Sequence, residues 1–274
     1  MIKSYLFVPG NRPDRIHKAL ASSANAVIID LEDAIAIREK GNVREVVKEF
    51  LLSYDFTNSK KLCVRINDIS SPSYEEDVRM VAEFPDICIM LPKTNSPSDI
   101  KKLEELTSPK QYILPLIETA KGVLNAYDIA SCSDRVAVLA FGAVDYCLDI
   151  NISISAHGHE LIYPRSALVL ASRAAELEPP IDTVYVDISN VEGLTDEIER
   201  AKSLGMFSKM CIHPLQLNLV NKLFSPTDTE ITWAKNVVES FEDALANGLS
   251  AIKIENKMID LPVYKQALAM LNRS

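Results

Sequence analysis

A chain of 274 residues, 47% hydrophobic and 24% charged, is long enough for one large packed core and too ordinary in composition for a disordered or fibrous protein. A formal charge of −9 and a pI near 5.1 exclude a broad polyanion-binding face, so no nucleic-acid partner is expected. No run approaches the roughly 18 apolar residues that span a bilayer, and the apolar run in the first ten residues is too short for a signal peptide. The expectation is a cytoplasmic protein without a membrane partner. Five widely spaced cysteines, Cys63, Cys88, Cys132, Cys147 and Cys211, show neither metal-ligand nor disulfide-framework spacing and read as buried free thiols.

In chain order, short β-rich apolar runs alternate with longer amphipathic stretches, the pattern of successive βα units around a parallel sheet. The runs cover 5–8, 26–29, 62–66, 87–91, 112–117, 136–140, 183–186 and 209–212. Most are continuous rather than alternating, as in strands covered on both faces. Helical patterns lie between them, for example at 13–22, 38–52, 98–107 and 161–175, some opened by proline or by a Ser or Asp cap. Eight strands close a (β/α)8 TIM barrel, which commonly needs about 250 residues. The barrel is placed at 1–225. The tail, 226–274, has a helix at 228–247, an irregular stretch at 248–260 and a last helix after Pro262, and is read as a lid and oligomer-contact extension.

Active sites of such barrels sit at the C-terminal ends of the strands. Those ends read Pro9-Gly10-Asn11-Arg12, Asp30-Leu31-Glu32-Asp33, Arg65-Ile66-Asn67, Pro92-Lys93, Glu118-Thr119, Gly142-Ala143-Val144-Asp145, Asp187 and His213-Pro214. Acids reaching one rim from strands two, five, six and seven repel one another unless a cation or an arginine compensates them. Magnesium prefers one or two carboxylates plus water and substrate oxygens, a pair that Glu118 and Asp145 supply from adjacent strands. Solvated loop acids and helix caps are the plainer reading of the same residues. Arg65 must find an anion, either a substrate carboxylate or a structural partner in Asp30 or Asp33. Lys93 raises Schiff-base chemistry as a competitor, and His213 reads as a structural histidine. The Pro9-Gly10-Asn11 turn is by itself a weak phosphate signal.

Several segments carry a resemblance that runs over nearly the whole chain. They are Leu6-Phe7-Val8-Pro9-Gly10, Asp30-Leu31-Glu32-Asp33-Ala34, Val64-Arg65-Ile66-Asn67, Leu91-Pro92-Lys93, Ile117-Glu118-Thr119, Phe141-Gly142-Ala143-Val144-Asp145, Asp182-Thr183-Val184-Tyr185-Val186-Asp187 and Cys211-Ile212-His213-Pro214-Leu215-Gln216. In this order they resemble the citrate lyase β-subunit family of the HpcH/HpaI aldolase and malyl-CoA lyase superfamily. The resemblance implies Mg2+ held by Glu118 and Asp145, with Arg65 gripping a 2-oxo acid and Glu32 and Asp33 in the catalytic set. It also implies a coenzyme A or acyl-carrier thioester whose phosphates lie near Asn11, Arg12, Arg15 and Lys18. The segment Lys257-Met258-Ile259-Asp260-Leu261-Pro262 resembles one whose aspartate reaches a neighbouring subunit's site, which makes Asp260 the candidate acid/base and a homotrimer the expected assembly. Three positions depart from the family pattern: Lys3 stands where Arg is usual, Val144 where Glu is usual and Ser208 where Gly is common.

The expected function is Mg2+-dependent cleavage or formation of a 3-hydroxyacyl thioester such as citryl-, malyl- or citramalyl-CoA or its carrier-protein form, with an acyl thioester and a 2-oxo acid as the fragments. An acyl-carrier protein is a further partner this would allow. Two rivals stand beside it: a metal-dependent aldolase for a free sugar acid, and a non-catalytic acyl-carrier-binding subunit of a lyase complex.

Overall fold

The computed structural model describes residues 2–57, 60–155 and 157–272, which form two compact units divided between Asn221 and Lys222. In the first unit eight parallel strands close in chain order: β1 (Ser4–Pro9), β2 (Ala26–Asp30), β3 (Lys61–Arg65), β4 (Cys88–Leu91), β5 (Ile113–Ile117), β6 (Ala140–Phe141), β7 (Ile181–Asp182) and β8 (Ser208–Cys211), with β8 pairing back onto β1. The helices are α1 (Pro13–Ala21), α2 (Lys40–Ser53), α3 (Tyr74–Ala82), α4 (Pro97–Leu106), α5 (Ala120–Leu124), α6 (Ala126–Ser131), α7 (Ala143–Asp149), α8 (Ile162–Ala174), α9 (Val191–Leu204) and α10 (Leu217–Leu223), the last running across the division. The expected TIM barrel is therefore the observed fold.

Alternation along each strand sends one set of side chains inward and the other toward the helices. Tyr5, Ala26, Ile28, Cys63, Met90, Leu114, Leu116, Ala140, Ile181 and Met210, drawn from all eight strands, pack into one buried cluster that fills the barrel. Val27 and Ile29, between the inward residues of β2, are equally buried, which is why the strands read as continuous apolar runs. The cysteines are free, as expected; Cys63, Cys147 and Cys211 are buried and Cys88 and Cys132 half-buried.

The seventh strand is not where the apolar run 183–186 put it. It is Ile181–Asp182, and Tyr185 and Val186 lie beyond it. The signal was hidden by a charge: Asp182 is fully buried, its carboxylate taking Arg165 Nε at 2.8 Å and Lys209 Nζ at 2.8 Å. Glu197 of α9 completes the cluster against Arg165 and Lys209. The sixth strand is likewise shorter than 136–140, reduced to Ala140–Phe141 plus an isolated bridge from Val136 to Ile113. The helix read at 38–52 divides into a 3-10 turn, Ile37–Glu39, followed by α2.

The second unit contains α11 (Asp228–Ala246), opened by a Thr227/Glu230 capping box, and α12 (Leu261–Leu271). Between them 248–260 is not irregular. It contains an antiparallel hairpin, β9 (Ile252–Ile254) against β10 (Lys257–Ile259), whose two turn residues Glu255 and Asn256 have φ of 48° and 66°. Two left-handed residues are what the twist of a tight hairpin demands, and the sequence lacks the glycine that usually announces it. Ala234, Val237, Phe241, Ile259 and Ala267 make this unit's own small core. Among the described residues no helix is long and apolar enough to cross a membrane.

Burial alone would raise the Asp182 pKa, but the charges of Lys209 and Arg165 outweigh it and hold the carboxyl below its ordinary range. Its contribution to stability is thus present above the ordinary carboxylate range and lost as pH falls through the lowered value. Asp182→Asn is expected to cost about 3–5 kcal/mol in urea unfolding at pH 7, because it leaves two buried cations with Glu197 as their one remaining carboxylate in the cluster. The difference from wild type should shrink on acidification; equal stability at neutral pH would show the cluster to be dispensable.

Candidate active site

The strand ladder continues past the strand ends and so fixes the rim. Leu31 N donates to Arg65 O at 2.9 Å, Ile66 N to Met90 O at 3.2 Å, Thr94 N to Leu116 O at 3.2 Å and Gly142 N to Ile117 O at 2.9 Å. Arg65, closing β3, is the hub. Its Nε and Nη2 donate to the two oxygens of Asp30, both at 2.7 Å, in the bidentate geometry that suits a guanidinium. Its Nη1 faces Glu32 Oε2 at 3.0 Å and donates to Asp33 Oδ2 at 3.3 Å, while the guanidinium lies 4.9 Å from the Phe7 ring centroid. Glu32 Oε2 sits off the N–H direction, so it is buried without a hydrogen bond among the described residues. Asp33 is more than half exposed.

The Asp30–Asp33 turn is itself pinned. Asp30 accepts from the backbone of Glu32 at 3.0 Å and of Ala34 at 3.1 Å. Lys40 Nζ donates to the carbonyls of Leu31 and Glu32 and to Asn67, which in turn bonds Asp77 and Leu31. Burial would push Asp30 up, yet Arg65 and these amides leave it below its ordinary value. Glu32 is raised: burial and the Asp33 charge outweigh Arg65 and Lys93. Lys40 and Asp77 carry no sequence signal, since each sits in a helix as an ordinary charged residue.

Glu118, just past β5, is almost fully buried; Oε1 accepts from Lys93 N at 2.8 Å. A Cβ on Gly142 would come within 2.4 Å of Glu118 Oε2 and 2.7 Å of its Cβ, so this carboxylate occupies room that only glycine leaves. Burial, then the charges of Asp145 and Glu32, push Glu118 up to about 8. Asp145, in the first turn of α7, is half-buried and has no cationic partner among the described residues. Five carboxylates, Asp30, Glu32, Asp33, Glu118 and Asp145, thus share the rim with Arg65, Lys93 and Lys40. Glu118 and Asp145 are the rim acids without a side-chain cation, and two hard oxygen donors with room for water and substrate are what a divalent cation of the magnesium type takes. Among the described residues no group of three or more His, Cys, Asp or Glu side chains is placed to hold a metal ion.

Other expected residues fall elsewhere. Asp187, expected at the rim from strand seven, is exposed and spends its carboxylate on Ser189; the strand ends five residues earlier. Lys93 is held as the ammonium by Glu32, against the opposing effect of burial, which removes the neutral amine that a Schiff base needs. Asn11, Arg12, Arg15 and Lys18 are exposed together on the first βα loop and α1, with Arg12 Nε already paired to Asp14 at 3.0 Å. Asp260 belongs to the second unit, where it caps α12 by accepting from Val263 N at 3.3 Å. His213 caps the turn after β8, its Nδ1 accepting from Leu215 N, the structural use read from the sequence.

The profile of the HpcH/HpaI aldolase/citrate lyase family matches residues 3–214, from the first strand of the barrel to just past the last. The chain belongs to this family. Among its relatives, citrate lyase subunit beta of Leuconostoc mesenteroides subsp. cremoris is 34% identical over 97% of this chain and 90% of its own. The mitochondrial citramalyl-CoA lyase of Homo sapiens is 30% identical over 97% and 83%. Among solved structures, CitE from Mycobacterium tuberculosis in complex with magnesium, acetoacetate and coenzyme A superposes with a TM-score of 0.84 at 30% identity, covering 99% of this chain and 97% of that one. The citrate lyase beta subunit complexed with oxaloacetate and magnesium, also from M. tuberculosis, gives 0.71 at 31% identity over 82% and 98%.

Gly142→Ala drives a methyl group into Glu118 and is expected to cost about 1–3 kcal/mol in urea unfolding. Unchanged stability would mean that β5 and β6 separate readily at this point.

Proposed function

We propose that this member of the family is a Mg2+-dependent carbon–carbon lyase that cleaves or forms a 3-hydroxyacyl thioester, with an acyl thioester and a 2-oxo acid as the fragments. The observation that carries the reading is the pairing, on one barrel rim, of an uncompensated Glu118–Asp145 site with an Arg65 guanidinium anchored by Asp30. Relatives named citrate lyase subunit beta and citramalyl-CoA lyase, and CitE structures with magnesium, coenzyme A and oxo acids, support it.

Glu118 and Asp145 would hold the metal, which when bound supplies Lewis acidity to the substrate's hydroxyl and carboxylate oxygens. Asp30 takes one edge of Arg65, which fixes the plane of the guanidinium and leaves the second Nη2 hydrogen for the oxo-acid oxygens. Cleavage removes the hydroxyl proton as the carbon–carbon bond breaks, and the electron pair of that bond passes to the thioester fragment. Glu32 and Asp33 lie against Arg65, where they help set its orientation and would be available to move the hydroxyl proton. In the proposed assembly, Asp260 of the partner subunit, as the carboxylic acid, would protonate the thioester carbon, or as carboxylate remove that proton in the condensing direction. Asn11, Arg12, Arg15 and Lys18 form the exposed basic face offered to the phosphates of a coenzyme A or carrier-protein arm.

The same reading places the protein in the cytosol as a homotrimer. An apolar groove of about 300 Å3 on α5, α6 and α8, flanked by exposed Leu124, Tyr127, Tyr163 and Leu170, is the kind of surface an oligomer covers.

The test is incubation of the purified chain with acetyl-CoA or propionyl-CoA and each of glyoxylate, pyruvate and oxaloacetate, with 3-hydroxyacyl-CoA products followed by mass spectrometry. Product that disappears with EDTA and in Glu118→Ala is the expected result. No product from any pair would favour a carrier-protein-dependent subunit or a sugar-acid aldolase. A second expectation concerns stability: Glu118→Gln removes a carboxyl whose ionisation burial and Asp145 oppose, so its Tm in metal-free buffer should equal or exceed that of wild type, while the rise in Tm that Mg2+ gives wild type should vanish.

A further inference from the structure

Lys93 has two unusual properties at once. Its φ is 48°, in the left-handed region that a residue with a Cβ enters at a cost, and nothing in the local sequence, Pro92-Lys93-Thr94, supplies the glycine or asparagine that would relieve it. It also holds both halves of the site. Its backbone N–H donates to Glu118 Oε1 at 2.8 Å, and its ammonium pairs with Glu32 Oε1, the carboxylate whose other oxygen faces Arg65. Thr94 N bonding to Leu116 O fixes the chain directly after it.

We propose that Lys93 is a positioning residue with two separable tasks: its left-handed backbone aims the N–H that orients Glu118 for the metal, and its ammonium fixes Glu32 against Arg65. The strain at φ is then the cost of turning the end of β4 so that one residue serves both carboxylates. Glu118 has its other side closed by Gly142, so the Lys93 N–H and that glycine together define where its oxygens lie. This assignment rests on the proposed metal role of Glu118 and adds to it the source of that carboxylate's orientation.

The two tasks separate in a substitution series at one position. Gly, Asn, Ala and Val all lack the ammonium, but they tolerate a left-handed φ in descending order. Mg2+ affinity of metal-stripped protein, measured by titration calorimetry, should stay within about 3-fold of wild type for Lys93→Gly and fall about 10–100-fold for Lys93→Val, with Asn and Ala between. The kcat of all four should fall to a similar degree, and Lys93→Arg, which restores a cation, should recover part of kcat without improving Mg2+ affinity over Lys93→Ala. Thermal melts identify any variant that fails to fold, and the Gly, Asn and Ala members carry the test if Val does. Equal Mg2+ affinity across the series, or an equal loss in all four, overturns the backbone task; unchanged kcat in Lys93→Gly overturns the ammonium task. Wild-type protein that takes up no Mg2+ sinks the metal reading and this inference with it, whereas wild-type uptake with a flat series sinks the inference alone.

Discussion

Everything at the rim depends on how Arg65 is satisfied. A guanidinium at the end of a buried strand cannot be left unpaired, and Asp30, from the neighbouring strand, meets it with two bonds in one plane. That union neutralises one carboxylate and leaves the others to be accounted for. Glu32 and Asp33 share the remaining edge of the same cation, Lys93 takes the free oxygen of Glu32, and nothing comparable reaches Glu118 and Asp145. The rim is thus divided into a sector at the ends of β2 and β3 whose acids have cationic partners and one past β5 and β6 whose acids lack them. The proposed divalent ion would be drawn to the second because the first has already used the available side-chain cations.

Much of this was readable from the linear sequence, for reasons that differ by residue. Arg65, Glu118 and Asp145 stand at the ends of apolar runs, where a charged side chain has no structural task that periodicity can supply, and the barrel brings such ends together. Glu32 and Asp33 are legible for the same reason. Lys40 and Asp77 are not, because a lysine opening one helix and an aspartate inside another are unremarkable until the fold sets them against Glu32 and Asn67. Lys93 was visible as a residue but not as a role. Its part is played by a main-chain torsion and an N–H, which a side-chain alphabet does not encode.

The fold shows the same division between pattern and context. Strands β1 to β5 match the apolar runs to within a residue or two, since each is covered by hydrophobic contacts on both faces. β7 lies before the apolar run 183–186 because Asp182, its last residue, is buried with Lys209 and Arg165 to neutralise it, and sequence pattern does not announce a buried carboxylate as part of a strand. The hairpin of the C-terminal unit was read as irregular because its turn uses Glu255 and Asn256 in place of the expected glycine.

The buried quartet of Arg165, Asp182, Glu197 and Lys209 has a thermal consequence. It lies where β7 and β8 meet their helices, and β8 is the strand that joins β1 to close the ring. Hydration of charged groups becomes less favourable on warming, so the desolvation penalty of such a cluster shrinks just as the gain from apolar burial levels off. The β7–β8 side of the barrel is therefore held by contacts whose desolvation penalty diminishes as temperature rises.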